Sequence, residues 1–172
     1  NLGLNQPVHV QFVKWFWGML TGNWGFSYYD GRPVAQVIGE RVPNTLVLMG
    51  AAMLLSLLLG IAIGIFSARR RYSKADYAVT VFSFIGMSIP TFWFGLMSMI
   101  LFSVVLRWLP SSGMGTPGVP FSIADRIQHL IQPVMVLSLV SIAGWSRFMR
   151  SSMVEALEQD YIRTARAKGL PE

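Results

Sequence analysis

The side chains able to do acid, base or nucleophilic chemistry are few in this sequence. His9 and His129 are the only imidazoles, cysteine is absent, and the fourteen Lys and Arg and eight Asp and Glu all fall outside the long apolar stretches. A proton relay or ion site inside a membrane needs ionisable groups at depth, paired with one another. The apolar stretches contain no Asp, Glu, Lys or Arg, and away from their ends their polar groups are mainly hydroxyls, among them Ser56 in the first, Ser83, Ser88 and Thr91 in the second, Ser138 and Ser141 in the third. Neither a nucleotide-cradling P-loop nor a zinc-binding HExxH occurs. Without cysteine there is no thiolate metal site and no disulfide framework. His129 reads as a residue at the boundary of a span. The expectation is therefore no catalytic residue, no metal and no cofactor on this chain.

A different kind of chemistry, mechanical docking, is suggested by residues 160–169, DYIRTARAKG. Asp160 can cap the first turn of a helix running from Tyr161 to Lys168, Lys168 suits its negative end, and Gly169 can take the left-handed terminating conformation. Pro171 prevents continuation. Ile162, Ala165 and Gly169 share a small face that a partner's groove could approach closely, while Arg163 and Arg166 point elsewhere. A basic helix lying on anionic lipid fits the same composition, and the residues alone leave both readings open.

The elements that must carry this tail are membrane spans. Hydrophobic residues make up 53% of the 172 and charged ones 13%, about half the charged share of a soluble domain. The uncharged stretches run from Val42 to Ala68, Tyr77 to Leu106 and Ile127 to Ser146, and each reaches the roughly 20 residues that cross a bilayer. The second would be about 45 Å long as a straight helix, so it must tilt, bend or protrude, and Gly86 and Pro90 mark the expected bend. The net charge of +6 reads as lysines and arginines facing anionic lipid rather than nucleic acid.

Orientation follows from Arg69, Arg70, Arg71 and Lys74, which crowd the first connection and place it in the cytoplasm. The Gly- and Pro-rich stretch from Arg107 to Arg126 then faces outward, and Arg147 onward returns to the cytoplasm. Residues 1–41 form an extracytoplasmic interfacial segment. In it, VHVQFVKWFWGML reads as an interfacial helix, and GRPVAQVIGERVPNT as a short helix from Pro33 that feeds into the membrane at Pro43. Trp15, Trp17, Trp108 and Trp145 suit the headgroup level. Gly60 and Gly64, in GIAIG, form a close-packing pattern for helices. The serines could line a wet path or equally bond back to their own helices. Nothing at the start resembles a signal peptide, and a chain opening on Asn1 reads as an internal piece of something longer.

The stretches SSMVEALEQDYIRTARAKGL, GMSIPTFWFGLMSMILFSV and LGLNQPVHVQFVKWFWGMLTGNWGFS together resemble the dipeptide/oligopeptide permease family of ABC importers, over nearly the whole chain. The resemblance implies an all-α membrane protein: an ABC importer permease core with three of the family's six spans, followed by a cytoplasmic coupling region at 147–172. Residues 42–172 would be its transmembrane domain, truncated at both ends, without the first span and the last two. It implies a transporter subunit of a bacterial or archaeal inner membrane rather than an enzyme. Its partners would be two cytoplasmic ATPases, a second permease subunit, an extracytoplasmic solute-binding protein and membrane lipid. Its substrates would be di- or oligopeptides, glutathione or nickel chelates.

Importer permeases carry a cytoplasmic signature, EAAxxxG, that docks into the ATPase. Aligned on Gly169, its first three positions fall on Arg163, Thr164 and Ala165. Only Ala165 and Gly169 match the general form, whereas YIRTARAKGL matches the peptide-permease version closely. Asp160, Tyr161, Ile162, Arg163, Thr164, Ala165, Arg166, Ala167, Lys168 and Gly169 are thereby expected to be the coupling helix, and Gly60, Gly64, Gly86 and Pro90 to be hinge or packing positions. The other classes considered are a membrane assembly protein with no transport role and an intramembrane enzyme.

Overall fold

The computed structural model describes residues 5–169. Among them are six α-helices, α1 (Val8–Leu20), α2 (Val34–Arg69), α3 (Lys74–Ser88), α4 (Thr91–Met99), α5 (Ile123–Leu157) and α6 (Asp160–Ala167), with a π-helical segment, Ile100–Val105, continuing α4. No β-strand occurs among the described residues; one isolated bridge joins Phe26 and Pro33. The chain is an all-α membrane protein. Two helices, α2 and α5, are long and apolar enough to cross a membrane, and a third crossing exists if α3 with α4 and its π-helical continuation are one bent span.

The chain divides into two compact units, Asn1–Leu46 and Val47–Glu172. In the first, α1 coincides with VHVQFVKWFWGML. Trp15, Met19 and Leu20 line one cleft with Trp24, Val34 and Ile38. The intervening turn is held by Arg32, which bridges Asp30 at 2.9 Å and Glu40 at 2.8 Å. The Ser27 hydroxyl, then Arg32, draws the Asp30 carboxyl down to about 2.

The expectation of a separate short helix before the first span is corrected, because α2 runs unbroken from Val34 through Pro43 to Arg69. Proline removes one donor and crowds the carbonyl four residues back. Here that residue is Gly39, exposed and without a side chain, and the helix continues past the proline.

In the second unit α5 is the spine, and it too outruns its expected span, continuing through Pro133 to Leu157. Contacts along it step in one direction. Arg150 meets Asp76, Ser146 meets Ser83, a Cβ on Gly86 would touch Ala143, one on Gly95 would touch Val136, and Gln132 reaches Ser98 and Ser103. Residue numbers rise on α3 and α4 as they fall on α5. The bent pair therefore tracks α5 antiparallel from Arg150 to Gln132, about 27 Å of helix.

Little of this unit is buried. Among the described residues the largest fully buried side chains are Ser56, Ser67, Ser138 and Ser146, while Leu54, Leu58, Phe82, Phe92 and Val104 stand exposed. Small residues inside and large apolar ones outside is the arrangement expected where lipid replaces water, since apolar burial then drives nothing and close backbone approach does.

Candidate functional site

Gly60 and Gly64 lie where α2 crosses α5. A Cβ on Gly60 would stand 2.5 Å from the Trp145 Cβ, and one on Gly64 would stand 2.6 Å from the Met149 Cβ and 2.7 Å from the Ser146 carbonyl oxygen. Trp145, expected at a headgroup anchor position, thus has its Cβ in the α2 contact; its ring packs edge-on against Phe148 at 6.3 Å. Beside this crossing the Ser83 and Ser146 hydroxyls are 3.2 Å apart. They sit in a largely apolar cleft of about 350 Å³ with Gly86, Ala143 and Ile63.

The serines take the second of the two roles left open for them. Ser56, Ser83, Ser88, Ser138 and Ser141 each donate to a carbonyl three or four residues earlier on their own helix. A hydroxyl whose proton is occupied this way can still accept but has none to give a passing solute.

Pro90 stands at a 92° bend between α3 and the helix that follows. The reason is local. Ile89 is extended, with φ −78° and ψ 124°, the conformation a following proline enforces on its neighbour, and one extended residue is enough to break a helix. Gly86 is buried one turn before the break, with Ala143 at 3.6 Å from where its Cβ would be. The cleft inside the elbow, about 540 Å³, is lined by Phe84, Ile85, Ser88, Phe92 and Trp93.

At the far end of α3 the charged residues converge. Asp76 is 3% exposed and its carboxylate accepts from Arg150 Nε at 2.6 Å and Nη2 at 2.7 Å, from the Ser67 hydroxyl and from the Tyr72 backbone N–H at 3.0 Å. Ser73 caps α3 by accepting from the Asp76 N–H. One turn before Arg150, Arg147 lies over the Phe84 ring at 4.8 Å. Arg71 pairs with Glu158 in the turn that leads to α6.

This cluster went unread in the sequence. Its signal was there: Asp76 is the single acid between Glu40 and Asp125, set among four basic residues. Gln132 was also missed, a buried amide bonded to Ser98 and Ser103. His129, read as a boundary residue, is buried, with Nδ1 2.9 Å from the Asp125 carbonyl, while the Asp125 carboxylate takes the Thr116 N–H and hydroxyl at 2.8 and 2.7 Å.

The tail is helical where expected. Because α6 begins at Asp160, that carboxylate lies in the first turn, 3.5 Å from Arg163, rather than ahead of it. Thr164 bonds back to the Asp160 carbonyl at 2.9 Å. Ile162 and Ala165 are half-buried, Tyr161, Arg163, Thr164, Ala167 and Lys168 are exposed, and Gly169 adopts φ +77°. Pro171 and the Arg166 side chain lie outside the described residues.

Residues 60–172 match the family of binding-protein-dependent transport system inner membrane components, a stretch that includes the GIAIG crossing, the elbow, the Asp76 cluster and α6. The chain belongs to that family. Over 171 residues it is 49% identical to the oligopeptide transport system permease protein AppB of Bacillus subtilis (strain 168), covering 99% of this chain and 54% of that protein. It is 44% identical over 173 residues to a protein named a putative peptide permease of Brucella ovis, covering 100% of this chain and 54% of that one. The chain spans about half the length of these relatives. Membership makes the small-residue crossings and the exposed terminal helix parts of an inner membrane component, and a multi-pass one.

Proposed function

We propose that this chain is part of the transmembrane permease subunit of an ATP-driven importer of di- or oligopeptides in a bacterial or archaeal inner membrane. The observation that carries the reading is α5 running without a break from the membrane-length stretch to Leu157 and handing over, after one turn, to the short exposed helix α6. A rigid rod ending in a docking-sized helix can pass a push from a partner into the bundle, with no chemistry on this chain. That the chain's relatives carry peptide-permease names over its full length supports the substrate class.

In this reading residues 160–169 are the coupling helix, and Ile162, Ala165 and Gly169 present its small face to a cytoplasmic ATPase, which hydrolyses ATP. A second permease subunit and an extracytoplasmic solute-binding protein complete the assembly. Residues 69–74 and 147–172 are cytoplasmic, 1–41 and 107–126 extracytoplasmic. The antiparallel progress of α3 and α4 along α5 for about 27 Å, close to the ~30 Å hydrocarbon thickness, favours one bent crossing over a re-entrant loop.

The test is reconstitution of the full-length subunit with its ATPases, second permease and binding protein in proteoliposomes. Labelled oligopeptide should accumulate only with ATP and the binding protein both present. Accumulation of no peptide, with ATP turnover indifferent to the binding protein, refutes the proposal.

A further inference from the structure

Resting on the importer reading above, we propose that Asp76 is a positioning residue for coupling: its carboxylate, clamped by Arg150, joins α3 and the α2–α3 connection to the part of α5 that leads into α6, so that a displacement of α6 reaches the elbow at Pro90.

The clamp has the geometry of a fixed joint. Two guanidinium nitrogens take the two carboxylate oxygens at 2.6 and 2.7 Å, the forked arrangement that fixes orientation as well as distance. The remaining acceptor capacity of Asp76 is filled from two directions, by the Ser67 hydroxyl on the last turn of α2 and by the Tyr72 N–H in the connection. Tyr72 reaches it from φ +64°, a left-handed conformation uncommon for a residue with a side chain. Ser67 is completely buried. One carboxylate thus holds the end of α2, the turn after it, the start of α3 and α5 about two turns before its end together.

A buried ion pair is weak evidence for stability, since apolar side chains of similar size often serve that purpose as well or better. What a fork supplies is register. The clamp lies about 10 Å of helix from the end of α5 on one side, and about 20 Å along α3 from the elbow on the other. The Arg71–Glu158 pair makes a parallel link from the same connection to the base of α6, but its side chains are 39% and 60% exposed, where an ion pair is screened and weak. Arg147 touches α3 through a ring face and the Met87 sulfur at 3.5 Å, contacts that tolerate sliding. Ser83 and Ser146, their hydroxyl oxygens 3.2 Å apart, mark a second place where α3 lies directly against α5.

The clamp is tested in the full-length subunit, reconstituted with its partners, by peptide taken up per ATP hydrolysed. Arg150→Lys keeps the charge and the pairing but loses the fork; it should assemble normally while uptake per ATP falls by roughly tenfold, the scale of a lost hydrogen bond to a charged group. Asp76→Asn should do the same wherever it reaches the membrane. No cysteine competes within these 172 residues, and with any elsewhere in the full-length subunit first replaced by serine, Ser83→Cys with Ser146→Cys can be oxidised to tie α3 to α5 covalently. That crosslink should leave the parent subunit unchanged and restore uptake per ATP to Arg150→Lys. Unaltered uptake per ATP in Arg150→Lys overturns the proposal, as does a fully formed crosslink that restores nothing. Asp76→Asn failing to assemble while Arg150→Lys couples normally overturns it too, leaving Asp76 a folding residue only. The two readings fail separately: a parent subunit that imports no peptide sinks the importer reading and the clamp with it, whereas a working parent with an indifferent Arg150→Lys sinks the clamp alone.

Discussion

Gly64 meets Met149 with no room for a side chain between them: a Cβ on the glycine would stand 2.6 Å from the methionine Cβ, and the Ser146 carbonyl oxygen is as near on the other flank. Four residues earlier Gly60 meets the Trp145 Cβ in the same way. Both obstacles are backbone or Cβ atoms, which cannot swing aside. Gly64→Ala should therefore push α2 off α5 and destabilise the subunit by about 1–3 kcal/mol, the range for overpacking. Gly144→Ala is the control, because nothing lies within 4 Å of that position and alanine is the better helix former. Thermal unfolding in detergent reads both. A Gly64→Ala midpoint equal to that of Gly144→Ala would show that the crossing is looser than its geometry.

The elbow makes a second prediction. Pro90 denies the Gly86 carbonyl an N–H and holds Ile89 extended, so Pro90→Ala restores the donor and lets the helix propagate. The 92° bend should then open, drawing Gly95 away from Val136 and Ser98 from Gln132. Spin labels at Thr80 and Met97 should move apart on substitution. An unchanged distance would mean that packing against α5, not proline, sets the bend.

What could be read from the sequence and what could not divides along physical lines. Local rules gave the bend at Pro90, the close-packing pair Gly60 and Gly64, and a short helix ending at Gly169, because each depends on one residue's φ or on spacing of three or four. Asp76 and Arg150 stand 74 positions apart, and no local rule joins them. The same holds for Gln132 with Ser98 and for Ser83 with Ser146. Pro43 failed the other way: proline's tendency to end a helix is a local preference that a long helix can override, and α2 runs on through it to Arg69. Cytoplasmic and outer faces were read from arginine counts alone, which the helices themselves do not decide.

That orientation is the third prediction. Ser73 caps α3 beside the arginine-rich turn, and Ser112 lies in the Gly- and Pro-rich connection before α5. Cysteines placed at these two positions in the full-length subunit should react with a membrane-impermeant reagent from opposite sides, Ser73→Cys from the cytoplasm and Ser112→Cys from outside. Reaction from the same side would make α3 and α4 a re-entrant loop and not a crossing.

The last prediction concerns α6, whose small face is made of Ala165 with Ile162, and whose end is set by Gly169. Ala165 is half-buried, as is Ile162 one turn earlier, so Ala165→Trp places a bulky ring where close approach by an ATPase groove is expected. Gly169 at φ +77° has open space around it. Gly169→Val therefore fails through its backbone and not through a clash: a β-branched residue in that region costs about 1–3 kcal/mol and should unwind the last turn instead. Neither position lies in a membrane-length helix, so insertion and protein level should stay close to normal while peptide-stimulated ATP hydrolysis and uptake fall together. Arg70→Gln is the comparison. It removes a cation that sits 4.7 Å over the Phe66 ring at the end of α2, far in sequence from α6, and it should weaken contact with anionic lipid while leaving coupling in place. If Ala165→Trp and Gly169→Val both transport at the parent rate in the full assembly, α6 is a helix that lies on lipid, and the push that drives transport enters elsewhere.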